Sequence, residues 1–503
     1  MVAEASTSTS NAARLARGWA RLVAWLFSPE SSVALAIYRM LWGGLMAWES
    51  WRYYIHGWSY RYYVEPTFLF KYPGFEWVQA LPGPGIAVLS ITLVVAGVLI
   101  SVGLMYRLAS VVFFVAHTYE FLLGAANYLN HAYLISLLAG LMILVPAHRT
   151  LSLDALIRPK IASNVVPAWP RALILIQLGI VYVYGAIAKF NVDWMVYHQP
   201  IRRWMKGSAN RVVKTPWIRW VESVQQSMFS DAVPLTERLH DFIASEGFTV
   251  FIAYGGVCFD LLIAPALAWK KTRRLAVLAA VGFHVSNMHL FSIGVFPWLM
   301  LAATTLFLNP DWALRLPKIG ARVEAVVTWM SSRGTRVLAV PKHARLWASL
   351  WVAYLTVQVL VPLRHHLYPG NVAWTEEGHV CSWRMKLRSK RGSVTFRVVD
   401  VVTGETWTVN PATELTKRQA RKIRGKPELI RQYANHLVER YLQEEDKTVN
   451  VYVDAMTALN YREPQRFIDP EFELGHEPAS LGAYSWVLPM KWSEPPHPKA
   501  AKP

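Results

Sequence analysis

The chain has 503 residues, of which 53% are hydrophobic and 13% aromatic, and only 17% carry charge, where soluble domains carry roughly a quarter. Apolar runs recur through the first three quarters, which excludes an ordinary soluble enzyme and marks an integral membrane protein with several spans. The formal net charge of +19 comes from Lys and Arg concentrated between those runs, which suits anionic lipid headgroups rather than nucleic acid, and two cysteines exclude a disulfide framework or a cysteine metal site.

Residues 1–30 form a tail. The first ten are Ser/Thr-rich and expected to be disordered. "NAARLARGWARLVAWLF" then puts Arg14, Arg17 and Arg21 on one helical face and Trp19, Leu22, Trp25 and Leu26 largely on the other, the pattern of a helix lying in the inner interface. Residues 31–363 hold nine candidate spans, near 32–55, 85–105, 107–124, 132–147, 171–190, 247–269, 273–289, 291–308 and 345–363. The two between Arg273 and Leu308 also read as one broken or re-entrant helix, so the fold class is a membrane α-helical bundle of eight or nine transmembrane helices. Orientation follows from the short basic loops: Arg107; Arg149, Arg158, Lys160 and Arg171; "KKTRR" at 270–274; and Lys318, Arg322, Arg333, Arg336 and Lys342. With the N-terminus inside, all of these are cytoplasmic. The long loop after Lys189, with Arg202, Arg203, Lys206, Arg211 and Lys214, then makes a basic surface outside.

Residues 364–503 change character and read as an extracytoplasmic α/β domain. "SVTFRVVDVVTGETWTV" is a hairpin around a Thr-Gly turn, 414–444 are amphipathic helices broken near Gly425-Lys426-Pro427, and "TVNVYVDAMTALN" returns to strand. Both Cys258, inside an apolar run, and Cys381 are expected to be free.

The polar residues at the outer membrane depth come from separate segments. "YLNHAYL" places Asn130 and His131 at the start of span four, "YGAIAKFNVDW" places Lys189 at the end of span five, and "FHVSNMHLFSIGVFPW" places His284 and Asn287 one turn apart near the end of span seven. His117 and Glu120 share a face of span three. Asp260 lies mid-span, where it would pair with a buried arginine such as Arg39 or cap a helix break. Each residue has a plain alternative: Lys189 as a snorkelling anchor, the histidines as packing groups. Ionisable groups inside membranes are costly, so their convergence points to a polar functional cavity.

Five stretches, in order across roughly residues 30–480, resemble the vitamin K-dependent γ-glutamyl carboxylase family, including its bacterial homologues with the horizontally transferred transmembrane domain. They are "YLNHAYLISLLAGLMILVPAHRTLSLD", "AIAKFNVDW", "FHVSNMHLFSIGVFPWLMLA", "YPGNVAWTEEGHVCSWRMKLR" and "NVYVDAMTALNYREPQRFIDP". The resemblance implies an enzyme that oxidises vitamin K hydroquinone (reduced menaquinone or phylloquinone) to the epoxide with O2. The strong base so formed removes a γ-proton from glutamate, and CO2 is captured to give γ-carboxyglutamate. The family's base falls on Lys189 and its supporting histidine on His131. The quinone-binding positions fall on Asn130, His284 and Asn287. Carboxylate-binding candidates are Arg203, Trp383 and Arg384. No metal is implied; the expected partners are membrane lipids, the quinone and a glutamate-containing peptide or protein, at a bacterial inner membrane with the site facing outward. Ala188 stands where the animal enzymes carry a second lysine. An amine works as a base only when neutral, which an enclosed lysine can be and a snorkelling one cannot. The alternatives are an epoxidase uncoupled from carboxylation or acting on another substrate, and a non-enzymatic quinone- or lipid-binding module.

Overall fold

The computed structural model describes residues 2–291, 293–334 and 340–495; Arg336 and the last eight residues of the C-terminal domain lie outside them. Each of the nine apolar windows is helical: α2 (Val33–Ile55), α3 (Gly85–Val102), α4 (Tyr106–Leu122), α5 (Asn130–Leu144), α6 (Trp169–Ile187), α8 (Glu246–Ala268), α9 (Arg273–Leu290), α10 (Phe296–Thr304) and α11 (Ala344–Leu363). They follow α1 (Val2–Leu26), and α7 (Ile201–Val212) lies between α6 and α8. Four helices, at Gly85–Val102, Trp169–Ile187, Glu246–Ala268 and Ala344–Leu367, are long and apolar enough to cross a membrane. α9 and α10 are separate helices meeting at a turn that includes left-handed Gly294.

Local signals set the helix ends. The Ser245 hydroxyl accepts from the Phe248 amide and starts α8. Left-handed Gly103 stops α3, and the Asp154 carboxylate accepts from the amides of Met105 and Tyr106 where α4 begins. Residues 2–10 depart from the sequence reading, because α1 runs through from Val2. Trp19, Leu22, Val23 and Leu26 lie against Ala344 and Ala348 of α11, and Trp25 is exposed.

Successive bundle helices reverse direction. At one end Arg39 and Asp154 tie α2, α3 and α4 to residues 151–154, the strands β1 (Pro29–Ser31) and β2 (Val165–Pro167) pair, and Arg171 binds Glu30 at 2.9 Å. The basic loops 103–107, 145–171 and 269–274 gather there. The bundle interior is a continuous apolar core around Tyr38, Trp42, Phe113, Leu134, Leu178 and Met300. Its exterior is apolar too: Val88, Ile91 and Val95 on α3, Leu262 on α8, Leu275 and Leu278 on α9 and Leu360 on α11 are all exposed. Such a surface is stable in lipid and not in water. The protein is a membrane protein.

At the other end sits the C-terminal domain. Its antiparallel sheet has the order β4-β3-β5-β6, with β3 Lys390–Asp400, β4 Thr406–Val409, β5 Val449–Leu459 and β6 Gln465–Arg466. The β3–β4 hairpin turns through Gly404 at positive φ, and Asp400 accepts from the amides of Val402 and Thr403. Alternate residues Val394, Phe396 and Val398 of β3 and Val449, Val451 and Val453 of β5 pack beneath helices α12 (Lys417–Ile423) and α13 (Pro427–Glu445). A capping box between Thr416 and Gln419 starts α12, and Pro427 starts α13. Phe70 and Ala126, from bundle loops, join this domain's core, and Arg418 donates to Asn127 at 2.7 Å. The C-terminal domain therefore packs onto the loops that follow α2 and α4.

Candidate active site

α6 ends at Ile187, and the side chains of "AKFNVDW" shape the chain beyond it. Asn191 accepts from the Trp194 amide at 3.0 Å and donates to the Ala188 carbonyl at 2.9 Å. Trp194 Nε1 donates to the Ala253 carbonyl of α8 at 3.0 Å. Asp193 points to the C-terminal domain, accepting from Arg462 at 2.5 and 2.9 Å and from Asn460 at 2.6 Å. These anchors turn Lys189 inward, to 8% exposure. Its Nζ donates to the Gly185 carbonyl at 2.9 Å and to Asp260 Oδ2 at 2.5 Å. Gly185 lets the carboxylate approach, since a Cβ there would lie 3.2 Å from Asp260 Oδ2.

This pairing corrects the reading of Asp260. α8 packs on α6 and presents Asp260 to Lys189, while Arg39 sits at the opposite end and donates to the carbonyls of Ile100 and Leu151. It also means that Lys189 is enclosed together with a carboxylate. The pair is neutral overall whichever atom holds the shared proton, so the apolar wall carries no uncompensated charge.

Lys189 and Asp260 line a cavity of about 1220 Å³, open mouth included. Asn130 and His131 reach it from the first turn of α5, and His284 and Asn287 from α9. Val181, Ile252, Phe283, Phe291, Ile293 and Phe296 make its apolar walls. Asn130 accepts from Tyr128 Oη at 2.8 Å, and that hydroxyl accepts from the Cys381 amide at 2.7 Å, so the C-terminal domain orients Asn130 through Tyr128. His284 is fully buried; its Nε2 meets Tyr182 Oη at 2.9 Å and its Nδ1 has no protein partner among the described residues.

The carboxylate-binding candidates separate. Arg203 lies outside this cavity, in a basic cleft that shares Phe291 and Lys386 with it. Trp383 is buried against Tyr133 in the bundle core, 1% exposed, and Arg384 lies beside Arg388 and Glu376 in the C-terminal domain. Neither lines the cavity or the cleft.

Tyr182 and Lys386 line the cavity without having been singled out in the sequence. Tyr182 stands seven residues, two helical turns, before Lys189, a spacing that could have revealed it. Lys386 gave no such signal. Cys381, Trp383 and Lys386 all have positive φ, so neither helical nor strand periodicity predicts which way this segment points.

His131 also borders a second chamber. His117, Glu120, Glu49, Tyr53 and Arg418 line it. His117 and Glu120 thus share a face, as their spacing suggests. Among the described residues no group of three His, Cys, Asp or Glu side chains could hold a metal ion, and both cysteines are free thiols.

Two family models match the chain. The HTTM domain covers residues 27–312, more than half the length, and the lumenal domain of vitamin K-dependent gamma-carboxylase covers residues 343–493. No solved structure matches it. The first region supplies every cavity side chain except Met385 and Lys386, which come from the second.

Proposed function

The chain belongs to the vitamin K-dependent γ-carboxylase family, and from that premise we propose that this carboxylase-like membrane protein oxidises vitamin K hydroquinone with O2 and carboxylates glutamate with CO2. The observation that carries the reading is the convergence of Lys189, His131, Asn130, His284 and Asn287, from three separate parts of the chain, on one cavity. The proposal includes a bundle of eight or nine spans, with the 364–503 domain outside a bacterial inner membrane. The basic loops gathered at the end opposite that domain support this orientation.

The cavity suits the co-substrate: aromatic and branched walls for ring and prenyl tail, polar groups on one side, and a buried His284 Nδ1 that lacks a protein partner. Bound there, vitamin K hydroquinone supplies phenolic protons and, with O2, a base strong enough to take the γ-proton of glutamate. Lys189 Nζ takes a phenolic proton once it has passed its own to Asp260 Oδ2. His131 and Asn130 hold the reacting oxygen by hydrogen bonds, and His284 and Asn287 fix the ring. The apolar walls limit the water that would quench the base.

The test is purified protein with vitamin K hydroquinone, bicarbonate and a glutamate peptide, scoring epoxide and fixed CO2 separately. Lys189→Ala loses epoxidation by ~10²–10⁴-fold, the scale of general-base catalysis. Lys189→Arg fails equally, because a guanidinium does not deprotonate. Asp260→Asn lowers kcat while the quinone KM holds. Near-normal epoxidation by Lys189→Arg would reduce this lysine to a membrane anchor, and epoxide without fixed CO2 in the parent protein would mean an uncoupled enzyme.

A further inference from the structure

Beside the cavity runs a cleft between α7 and the soluble domain, lined by Arg203, Trp204, Arg211, Lys386, Arg391 and Tyr461 among others. No carboxylate lines it, and none of its four cations is ion-paired to a carboxylate among the described residues. They are held instead by rings and backbone. The guanidiniums of Arg203 and Arg391 lie 4.3 and 5.2 Å from the centre of the Tyr461 ring, Lys386 Nζ lies 5.1 Å from that of Trp204, and Arg211 donates to the Leu290 carbonyl at 3.1 Å. Burial, then the charge of Arg211, pulls Lys386 below the ordinary lysine range, a strain that an incoming anion would relieve. Phe291 and Lys386 belong to both this cleft and the cavity of Lys189.

We infer that the cleft is the docking site for an acidic peptide segment, whose glutamate side chain enters the cavity past Lys386 and Phe291. The inference rests on the carboxylase reading and adds to it the residues that recognise the peptide. Cations distributed along the cleft match a segment with several carboxylates rather than a single anion. The soluble domain contributes Ser389, Arg391 and Tyr461, so one wall is built from protein outside the bundle, as a peptide requires and a bilayer headgroup does not. The wall shared with the cavity lets a docked residue reach Lys189's side without leaving the site.

The experiment measures binding of a labelled, glutamate-rich peptide to full-length protein in neutral-lipid nanodiscs, without quinone. Arg211→Gln and Arg391→Gln each weaken binding about tenfold, the scale of one charge-assisted hydrogen bond. Binding falls with added salt, a glutamine-for-glutamate peptide fails to compete, and Arg211→Lys retains affinity. In turnover, the glutamine variants raise the peptide KM while kcat at saturating peptide and peptide-free epoxidation hold, which also shows that they fold. Unchanged peptide affinity in both variants overturns the inference. So does a loss of affinity for phosphatidylglycerol in place of the peptide, which would assign the cleft to lipid. Peptide binding through the cleft with no fixed CO2 would sink the carboxylase reading alone; carboxylation with an unaltered peptide KM would sink the cleft alone.

Discussion

Glu376 accepts hydrogen bonds from Arg388 with both carboxylate oxygens and meets Lys390 Nζ at 3.0 Å. Burial by itself raises such a carboxyl, but Arg388, Lys390 and His379 outweigh it and hold Glu376 well below the usual carboxylate range. One carboxylate does not neutralise all the cations around it. Burial, then the charge of Lys422, brings Lys426 down to about 7. Lys426 is also the residue that caps the N-terminus of α13, where the helix dipole disfavours a positive charge. In the unfolded chain this ammonium keeps its proton to about pH 10.4. Between those values the unfolded chain binds more protons, so stability rises with pH. Lys426→Met should therefore raise the melting temperature fully below about pH 7, and the gain should fade as pH rises toward about 10.4. A pH-independent gain would show that the substitution acts through packing.

Helices α2 and α3 pack backbone against backbone. A Cβ on Gly43 would lie 2.5 Å from the Ser101 amide nitrogen, and one on Gly97 would lie 2.7 Å from that of Ala47. The glycines thus allow backbone contact, and Ser101 Oγ adds a hydrogen bond to the Met40 carbonyl at 2.8 Å. Lipid offers no hydrophobic drive between helices, so such close packing and such hydrogen bonds are what hold them together. Gly97→Leu should cost at least about 1–3 kcal/mol of overpacking and lower the melting temperature in detergent. Val88→Leu, on the exposed face of the same helix, should leave it unchanged. Elements of this kind were legible in the sequence. The apolar windows match the helices to within a few residues, because length and hydropathy mark a helix before its neighbours are known. Partner choice was not legible. Whether Asp260 meets Arg39 or Lys189 depends on how α8 packs on α6, and no property of either helix alone encodes that. The helices Pro216–Met228 and Leu235–Ala244 were also missed inside what read as a basic loop.

At the scale of the whole molecule, the membrane bundle and the C-terminal domain share a buried ionic joint. Arg462, its side chain 1% exposed, meets Asp193 directly, and Asn460 adds a third hydrogen bond to the carboxylate. Removing one partner of a buried pair costs ~3–5 kcal/mol. Arg462→Ala should lower the melting temperature accordingly and abolish epoxidation, since Asp193 lies on the turn that aims Lys189. The double variant Asp193→Leu with Arg462→Met should regain much of the stability, as apolar replacements of buried pairs do, and little of the activity. Recovery of both together would mean that the joint only holds the domains together and does not position the lysine.

Asp193 and Arg462 are 269 residues apart. During synthesis the lysine turn is made and inserted long before the arginine that steadies it exists. On the proposed chemistry, an unfinished chain carries the amine without its aim. A cell that builds a strong base inside its own membrane then obtains it only from molecules completed past Arg462. A stop codon or a proteolytic cut anywhere before Arg462 should leave a harmless helical bundle rather than an uncontrolled oxidase.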